Sequence, residues 1–193
     1  MSTKEDRACP ISNPVELRTY AEEHVAYEVQ MFLEAATTGL PADASWFRKM
    51  QGIETFVLHL RNLAYFLHPH HFTPRGSDIV ATDFLPQANR AQWEQSIAPS
   101  EDLKDAKRRA DKELAHLTTS RISGMPPSKS WSTFDLAREI NSNLTTFLSL
   151  ADERLIGPVL RSAISQGATS LSLATPPERC PSTGQSSGLG DEL

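Results

Sequence analysis

The strongest constraint on the fold is a long stretch that is apolar on most sides of a predicted helix. Helical spacing runs over residues 44–67, and Pro69 ends it. The apolar stripe itself consists of Met50, Ile53, Val57, Leu60, Ala64 and Leu67. Further large side chains widen the apolar surface well beyond one face of the helix: Phe56, Leu58, Leu63, Tyr65 and Phe66. Such a helix is usually the central one of a bundle, because each side needs a covering partner.

Three further helical patterns supply those partners. They cover residues 14–36, 100–121 and 133–151, and the last continues to about residue 164 with a bend or break at Gly157-Pro158. Alternating patterns typical of strands are missing from the sequence. We therefore predict an all-α fold, a bundle of four or five helices.

The segments between and beyond these helices divide the chain. Residues 1–13 read as a flexible N-terminus, residues 14–165 as the helical domain and residues 166–193, rich in Ser, Thr, Gly and Pro, as a disordered tail. Residues 69–100 form a long irregular connection with a short turn at 78–85. A connection of this length is often functional.

Composition narrows the classes of function. The 193 residues carry a net charge of -5, which argues against a broad basic surface for nucleic acids. Cys9 and Cys180 lie near the two ends, so neither a disulfide framework nor a zinc site is predicted. Apolar leader and membrane-spanning patterns are absent as well. We expect a cytoplasmic protein without a membrane partner.

A polar stripe on the central helix is the feature that points toward chemistry. Glu54, Arg61 and His68 are seven residues apart, so they share one side of the helix. An arginine on an apolar helix needs a partner or a ligand. One interpretation is structural: Glu54, Asp111 or Glu113 neutralises Arg61, and His68 serves the helix C-terminus.

The other interpretation is a phosphate site. Arg61 and His68 differ in direction by about 20° and lie about 10 Å apart along the helix axis. Arginine binds phosphate with two parallel hydrogen bonds, and histidine exchanges protons near neutral pH. Asn62, beside Arg61, adds a hydrogen bond or orients the site.

The pattern Arg-Asn-x5-His formed by Arg61, Asn62 and His68 resembles the signature of the HEPN superfamily of helical proteins. The resemblance implies an all-α bundle that forms homodimers. It also implies a metal-independent ribonuclease site at the dimer interface, without a cofactor, in which the arginine contacts the scissile phosphate and the histidine transfers protons. Segments 60–63 and 112–118 are also similar to those of uncharacterised bacterial helical proteins.

Other polar residues are secondary candidates. Lys104, Arg108, Lys112 and His116 repeat every four residues along the third helix, which predicts either a solvated face or, through Lys112 and His116, contacts to substrate. The histidines that follow the central helix are predicted to form a polar loop and no metal site.

Two hypotheses from different classes therefore remain open. The first is a HEPN-like ribonuclease acting on RNA as a homodimer, with Arg61, Asn62 and His68 in its site. The alternative is a non-enzymatic interaction module that binds a protein or a small ligand, with Arg61 in a structural ion pair. A nucleic-acid binder without cleavage is a third, whose affinity would fall with added salt.

Overall fold

Every regular element that the structure describes is helical. The computed structural model describes residues 8–38, 43–114 and 131–173. In chain order the elements are α1 (Pro14–Tyr20), a first π-helical segment (Ala21–Val25), α2 (Ala26–Thr37), α3 (Trp46–Leu67), a 3-10 turn (Ala81–Phe84), α4 (Gln87–Ser96), α5 (Glu101–Arg109), a second π-helical segment (Ala110–Leu114), α6 (Thr133–Leu150) and α7 (Pro158–Leu173). The predicted all-α class is confirmed.

Polar side chains fix where three of these helices begin. Asn13 accepts a hydrogen bond from the backbone N–H of Val15 at the start of α1. Ser45 does the same for α3, and Ser100 accepts from Leu103 N–H at the start of α5. Each cap satisfies a helix N–H that has no partner within the helix.

Helix α3 is central, as its sequence predicted. It packs against α2, α5, α6 and the second π-helical segment. The ring of Phe56 stacks on Phe32 of α2 at 5.0 Å between centroids, and the ring of Phe66 meets Phe147 of α6 edge-on at 5.4 Å. Aromatic contacts on two sides explain why this helix is apolar around most of its circumference.

The connection after α3 is more regular than predicted. The 3-10 turn falls within the expected turn at residues 78–85, but α4 follows it where irregular chain was predicted. Apart from Trp93, α4 offers few apolar residues, so its sequence lacks a helical apolar stripe. Trp93 is buried and lies 6.1 Å from the ring of Phe147, which attaches α4 to α6.

The C-terminal part of the domain also differs from the prediction. The chain breaks before Pro158, and α7 is a separate helix that runs to Leu173, eight residues past the predicted domain boundary. Gly167 lies so close to Leu33 of α2 that a Cβ atom would overlap that side chain, and Leu171 is buried. Helix α7 therefore packs through residues whose polar surroundings suggested disorder. Residues 174–193 of the predicted tail lie outside the described residues.

Two further observations complete the architecture. Joining α1 to α2 and α5 to the second π-helical segment gives six helices in the described ranges, one more than the upper predicted number. None of them is both long and apolar enough to cross a membrane.

Candidate functional site

Arg61 takes part in a charged network between α3 and the end of α5. Its Nε donates to Asp111 Oδ1 at 2.5 Å, and Lys107 Nζ lies 2.7 Å from Asp111 Oδ2. The Lys107 ammonium also lies over the Tyr65 ring, 4.1 Å from its centre, and the guanidinium carbon of Arg61 lies 5.2 Å from the same centre. One carboxylate thus pairs with two cations that come from different elements.

The surroundings shift the pKa values in this network. Burial alone raises the pKa of Asp111, but hydrogen bonds from Lys107 and Arg61 outweigh it and the pKa is lowered. Burial lowers the pKa of Lys107, while hydrogen bonds to Asp111 and Tyr65 raise it overall. Each partner therefore favours the charged form of the other.

Asn62 belongs to a second polar network, centred on Glu28 of α2. Glu28 Oε2 lies 2.7 Å from Nδ1 of the buried His59 and accepts a hydrogen bond from Asn62 Nδ2 at 3.1 Å. His59 and Asn62 are three residues apart and therefore face the same side of α3. The two side chains hold the carboxylate of Glu28 in place.

Both networks border one cavity of about 580 Å³, which we call the Arg61 cavity. Its polar walls come from the first helical segments, α3 and the chain after α3: Tyr20, His24, Glu28, Arg61, Asn62, Tyr65, Thr73, Arg75, Ser77 and Asp78. Burial raises the pKa of the Tyr20 hydroxyl, and the negative charges of Glu28 and Asp78 raise it further. The tyrosine is therefore a neutral hydrogen-bonding group at physiological pH.

His68 lies elsewhere, in a cavity of about 730 Å³ that we call the His68 cavity. His68 is 1% exposed, and the Nε2 atom of its imidazole lies 3.2 Å from Asn143 Nδ2 of α6. Burial, helped by the nearby His71, lowers the pKa of His68 to about 4, so the ring is neutral at pH 7. The two cavities share only the wall residues Thr73, Pro74 and Val80.

The structure thus brings Arg61 and Asn62 together and leaves His68 in a different cavity of the chain. Glu54, proposed as a structural partner, is exposed, and the observed carboxylate partner of Arg61 is Asp111. Lys112 is exposed, and His116 lies outside the described residues. Among the residues that the structure describes, no three His, Cys, Asp or Glu side chains converge as metal ligands would.

Several residues of the site escaped the sequence analysis. Glu28 is 34 positions away from Asn62, which it holds, and no sequence pattern linked the two. Asp111, 50 positions from Arg61, had been named only as one of three carboxylates able to neutralise it. Helical spacing reports neighbours on one helix and says nothing of such pairs. One signal was present: Lys107 and Asp111 are four residues apart, which is the spacing of an ion pair on a helix.

Comparisons with protein-family models, curated proteins and solved structures find no match to this chain.

Proposed function

We propose that the protein is a non-enzymatic helical binding module and that the Arg61 cavity holds a small polar ligand. The observation that carries this proposal is that Arg61 is held by an ion pair and still faces the cavity. Its Nε is fixed by Asp111, while its side chain remains 33% exposed at the wall of the cavity. The arginine is therefore preorganised, which lowers the entropic cost of binding a ligand.

The free donors of Arg61 define part of the ligand. Within the described ranges, the only hydrogen bond of its guanidinium is the one from Nε to Asp111. The terminal nitrogens are thus open to an anionic group on a ligand, which arginine binds through two parallel hydrogen bonds. Arg75 lines the same cavity and adds a second positive charge.

Acidic groups on the cavity wall define the other part of the ligand, its hydrogen-bond donors. Glu28 and Asp78 face the same space as the two arginines, so the formal charges of these four side chains cancel. Such a wall suits a ligand that has an anionic group together with hydrogen-bond donors, as amino acids and nucleotides do. A volume of about 580 Å³ lies within the range of small-molecule sites.

The position of His68 weighs against catalysis in a single chain. A general acid or base must come within hydrogen-bond reach of the reacting group. His68 is buried in the neighbouring cavity and stays neutral until the pH approaches 4. The phosphate-binding and proton-transfer roles predicted for Arg61 and His68 therefore have no common space within one protomer.

A metal-independent ribonuclease active as a homodimer is the second candidate. It is favoured by Arg61 and Asn62 lining one cavity together with the exposed His24, which offers an imidazole that the sequence motif did not include. A second protomer would complete the site in this hypothesis, and RNA would be the partner.

Ligand-observed NMR tests the binding proposal. Wild type, Arg61→Gln and Arg48→Gln are screened against the twenty amino acids and the common nucleotides. Arg48 is the matched control because it is an exposed arginine on the same helix. We expect at least one compound to bind wild type and Arg48→Gln, and to bind Arg61→Gln at least tenfold more weakly. Absence of binding to wild type, or equal binding by all three, contradicts the proposal.

Cleavage assays test the second candidate. RNA is incubated with wild type, Arg61→Ala, His24→Ala and His68→Ala in the presence of a chelator. Cleavage by wild type that Arg61→Ala abolishes would support the ribonuclease, and the two histidine variants would show which imidazole takes part. Equal cleavage by all four proteins, or cleavage that needs a metal, rules it out.

A further inference from the structure

The His68 cavity contains two buried polar atoms without a partner. Among the described residues, His68 Nδ1 and Arg90 Nε are both buried and make no hydrogen bond. Both residues line this cavity, His68 from the end of α3 and Arg90 from α4. Leaving a buried polar atom unpaired costs free energy, so two on one cavity wall suggest a missing partner.

The hydrogen bond between Asn143 and the His68 ring determines which ring nitrogen carries the proton. Asn143 directs its amide nitrogen to His68 Nε2, so Nε2 accepts and the proton of the neutral imidazole lies on Nδ1. Nδ1 is then a donor in need of an acceptor. The backbone of His68 is held in place, since its N–H donates to the Ala64 carbonyl and its own carbonyl accepts from the N–H groups of His71 and Phe72.

Arg90 offers a positive charge without a counter-ion. Its side chain is half-buried, and none of the carboxylates in the described ranges lies within ion-pair distance of it. Glu94, one turn further along α4, is the natural partner by spacing. That carboxylate instead pairs with His70, whose Nε2 lies 2.9 Å from Glu94 Oε1.

We propose that the His68 cavity is a second binding site, for an anionic carboxylate or phosphate group that Arg90 and His68 hold together. A cationic guanidinium and an N–H donor are the groups that bind oxyanions in proteins. Among the described residues, Glu94 is the one acidic side chain that lines this cavity, and it is already engaged by His70. The volume of about 730 Å³ leaves room for an organic molecule bearing the anion.

NMR titration of the full chain at pH 7 tests this site. Inorganic phosphate is added in one arm and acetate in the other, with sodium chloride adjusted to constant ionic strength. The ring signals of His68 report on the cavity itself. Wild type is compared with Arg90→Gln, Arg90→Lys and the exposed control Arg48→Gln, and circular dichroism checks that each variant is folded.

Saturable shifts of the His68 signals are expected for phosphate, acetate or both, and the arm that saturates at lower concentration identifies the preferred anion. Arg90→Gln should weaken binding at least tenfold, Arg90→Lys less, and Arg48→Gln not at all. Shifts that do not saturate, or that are equal in wild type and Arg90→Gln, overturn the proposal. If Arg90→Gln does not fold, Arg90→Lys takes its place in the comparison, and binding by Arg90→Lys equal to that of wild type overturns the proposal.

This site can fail or hold independently of the Arg61 cavity. Arg61→Gln alters only the first cavity, so it should leave phosphate or acetate binding at His68 unchanged. Loss of both binding activities in Arg61→Gln would contradict two separate sites.

Discussion

Asp111 is the residue on which the charged network beside α3 depends. Its carboxylate forms ion pairs with Arg61 of α3 and with Lys107 of α5, both at 2.7 Å or less. The carboxylate is about one quarter exposed, so water screens these pairs only in part. Its removal would leave two cations facing each other across a short distance.

We therefore expect Asp111→Asn to lower the free energy of unfolding by about 1–3 kcal/mol. The pKa of Asp111 is lowered in the folded state, so its contribution is present above the unfolded pKa and is lost as the pH falls through the folded one. Urea denaturation at pH 7 and pH 3 measures both effects, and the difference between variant and wild type should shrink at the lower pH.

The matched control for this change is Asp105→Asn on the same helix. Asp105 pairs with Arg108, and both side chains are more than half exposed. A pair of this kind contributes less than about 1 kcal/mol. Equal losses for Asp105→Asn and Asp111→Asn would contradict a special role for Asp111.

His68 makes the stability of the folded chain depend on pH. Burial, with a contribution from His71, lowers its pKa to about 4, against about 6.5 in an unfolded chain. The unfolded state therefore binds the proton first as the pH falls. Stability is unaffected above about pH 6.5 and decreases by about 3 kcal/mol between there and pH 4.

We expect His68→Gln to remove this dependence, because glutamine does not titrate. The free energy of unfolding of wild type should fall between pH 6.5 and pH 5, above the range of most carboxylates, and that of the variant should change much less. His70→Gln serves as the control because it leaves the buried ring intact. A slope that persists in His68→Gln would assign the pH dependence to another group.

At the scale of elements, the start of α7 depends on a residue from the other end of the chain. Pro158 has no backbone N–H, so the first donors without a helical partner are those of Val159 and Leu160. Glu22, in the first π-helical segment, accepts from both, at 2.9 Å and 3.2 Å. Its carboxylate also lies favourably at the positive end of the helix dipole.

Gly157 allows this capping contact, since a Cβ atom there would overlap the Glu22 carboxylate. We expect Gly157→Ala to cost about 1–2 kcal/mol, the usual cost of losing an N-terminal cap. In a Glu22→Ala background the same change should cost less than about 0.5 kcal/mol, since the cap is already lost. Thermal unfolding of the four proteins gives this double-mutant cycle. Gly76→Ala is the control, because a Cβ atom added there has no neighbouring atom within 4 Å in the described part of the chain. Additive losses of stability for the changes at Gly157 and Glu22 would contradict the coupling.

The sequence predicted the elements that depend on local signals and missed those that depend on contacts between distant segments. The boundaries of α3 followed from its apolar spacing and from Pro69, both of which are local signals. Helix α4 was missed because one residue, Trp93, supplies most of its burial. The end of α7 was missed because Gly167 contributes to packing by having no side chain. Of the candidate site, Arg61 was recognised with Asp111 among its three possible partners, but Glu28, on a distant segment, was not recognised as the partner of Asn62.

At the scale of the whole molecule, α7 closes the bundle. It packs against α2 and α6, and Leu160, Ala163, Ile164 and Leu171 are buried there. Without α7, Leu33 of α2 would lose the surface that now covers it. Burying a large aliphatic side chain stabilises a fold by about 1.5–3 kcal/mol, so Leu160, Ile164 and Leu171 together approach the total stability of a typical domain.

We therefore expect a chain that ends at residue 157 to lose its cooperative thermal unfolding transition and to expose apolar surface. A chain that ends at Leu173 keeps every described contact of α7 and, if residues 174–193 form the tail that their composition predicts, should unfold within about 2 °C of the full chain. Differential scanning calorimetry with dye binding compares the three lengths. A stable chain of 157 residues would show that α2, α3 and α6 suffice for the core, and a destabilised chain of 173 residues would show that the remaining segment contributes to it.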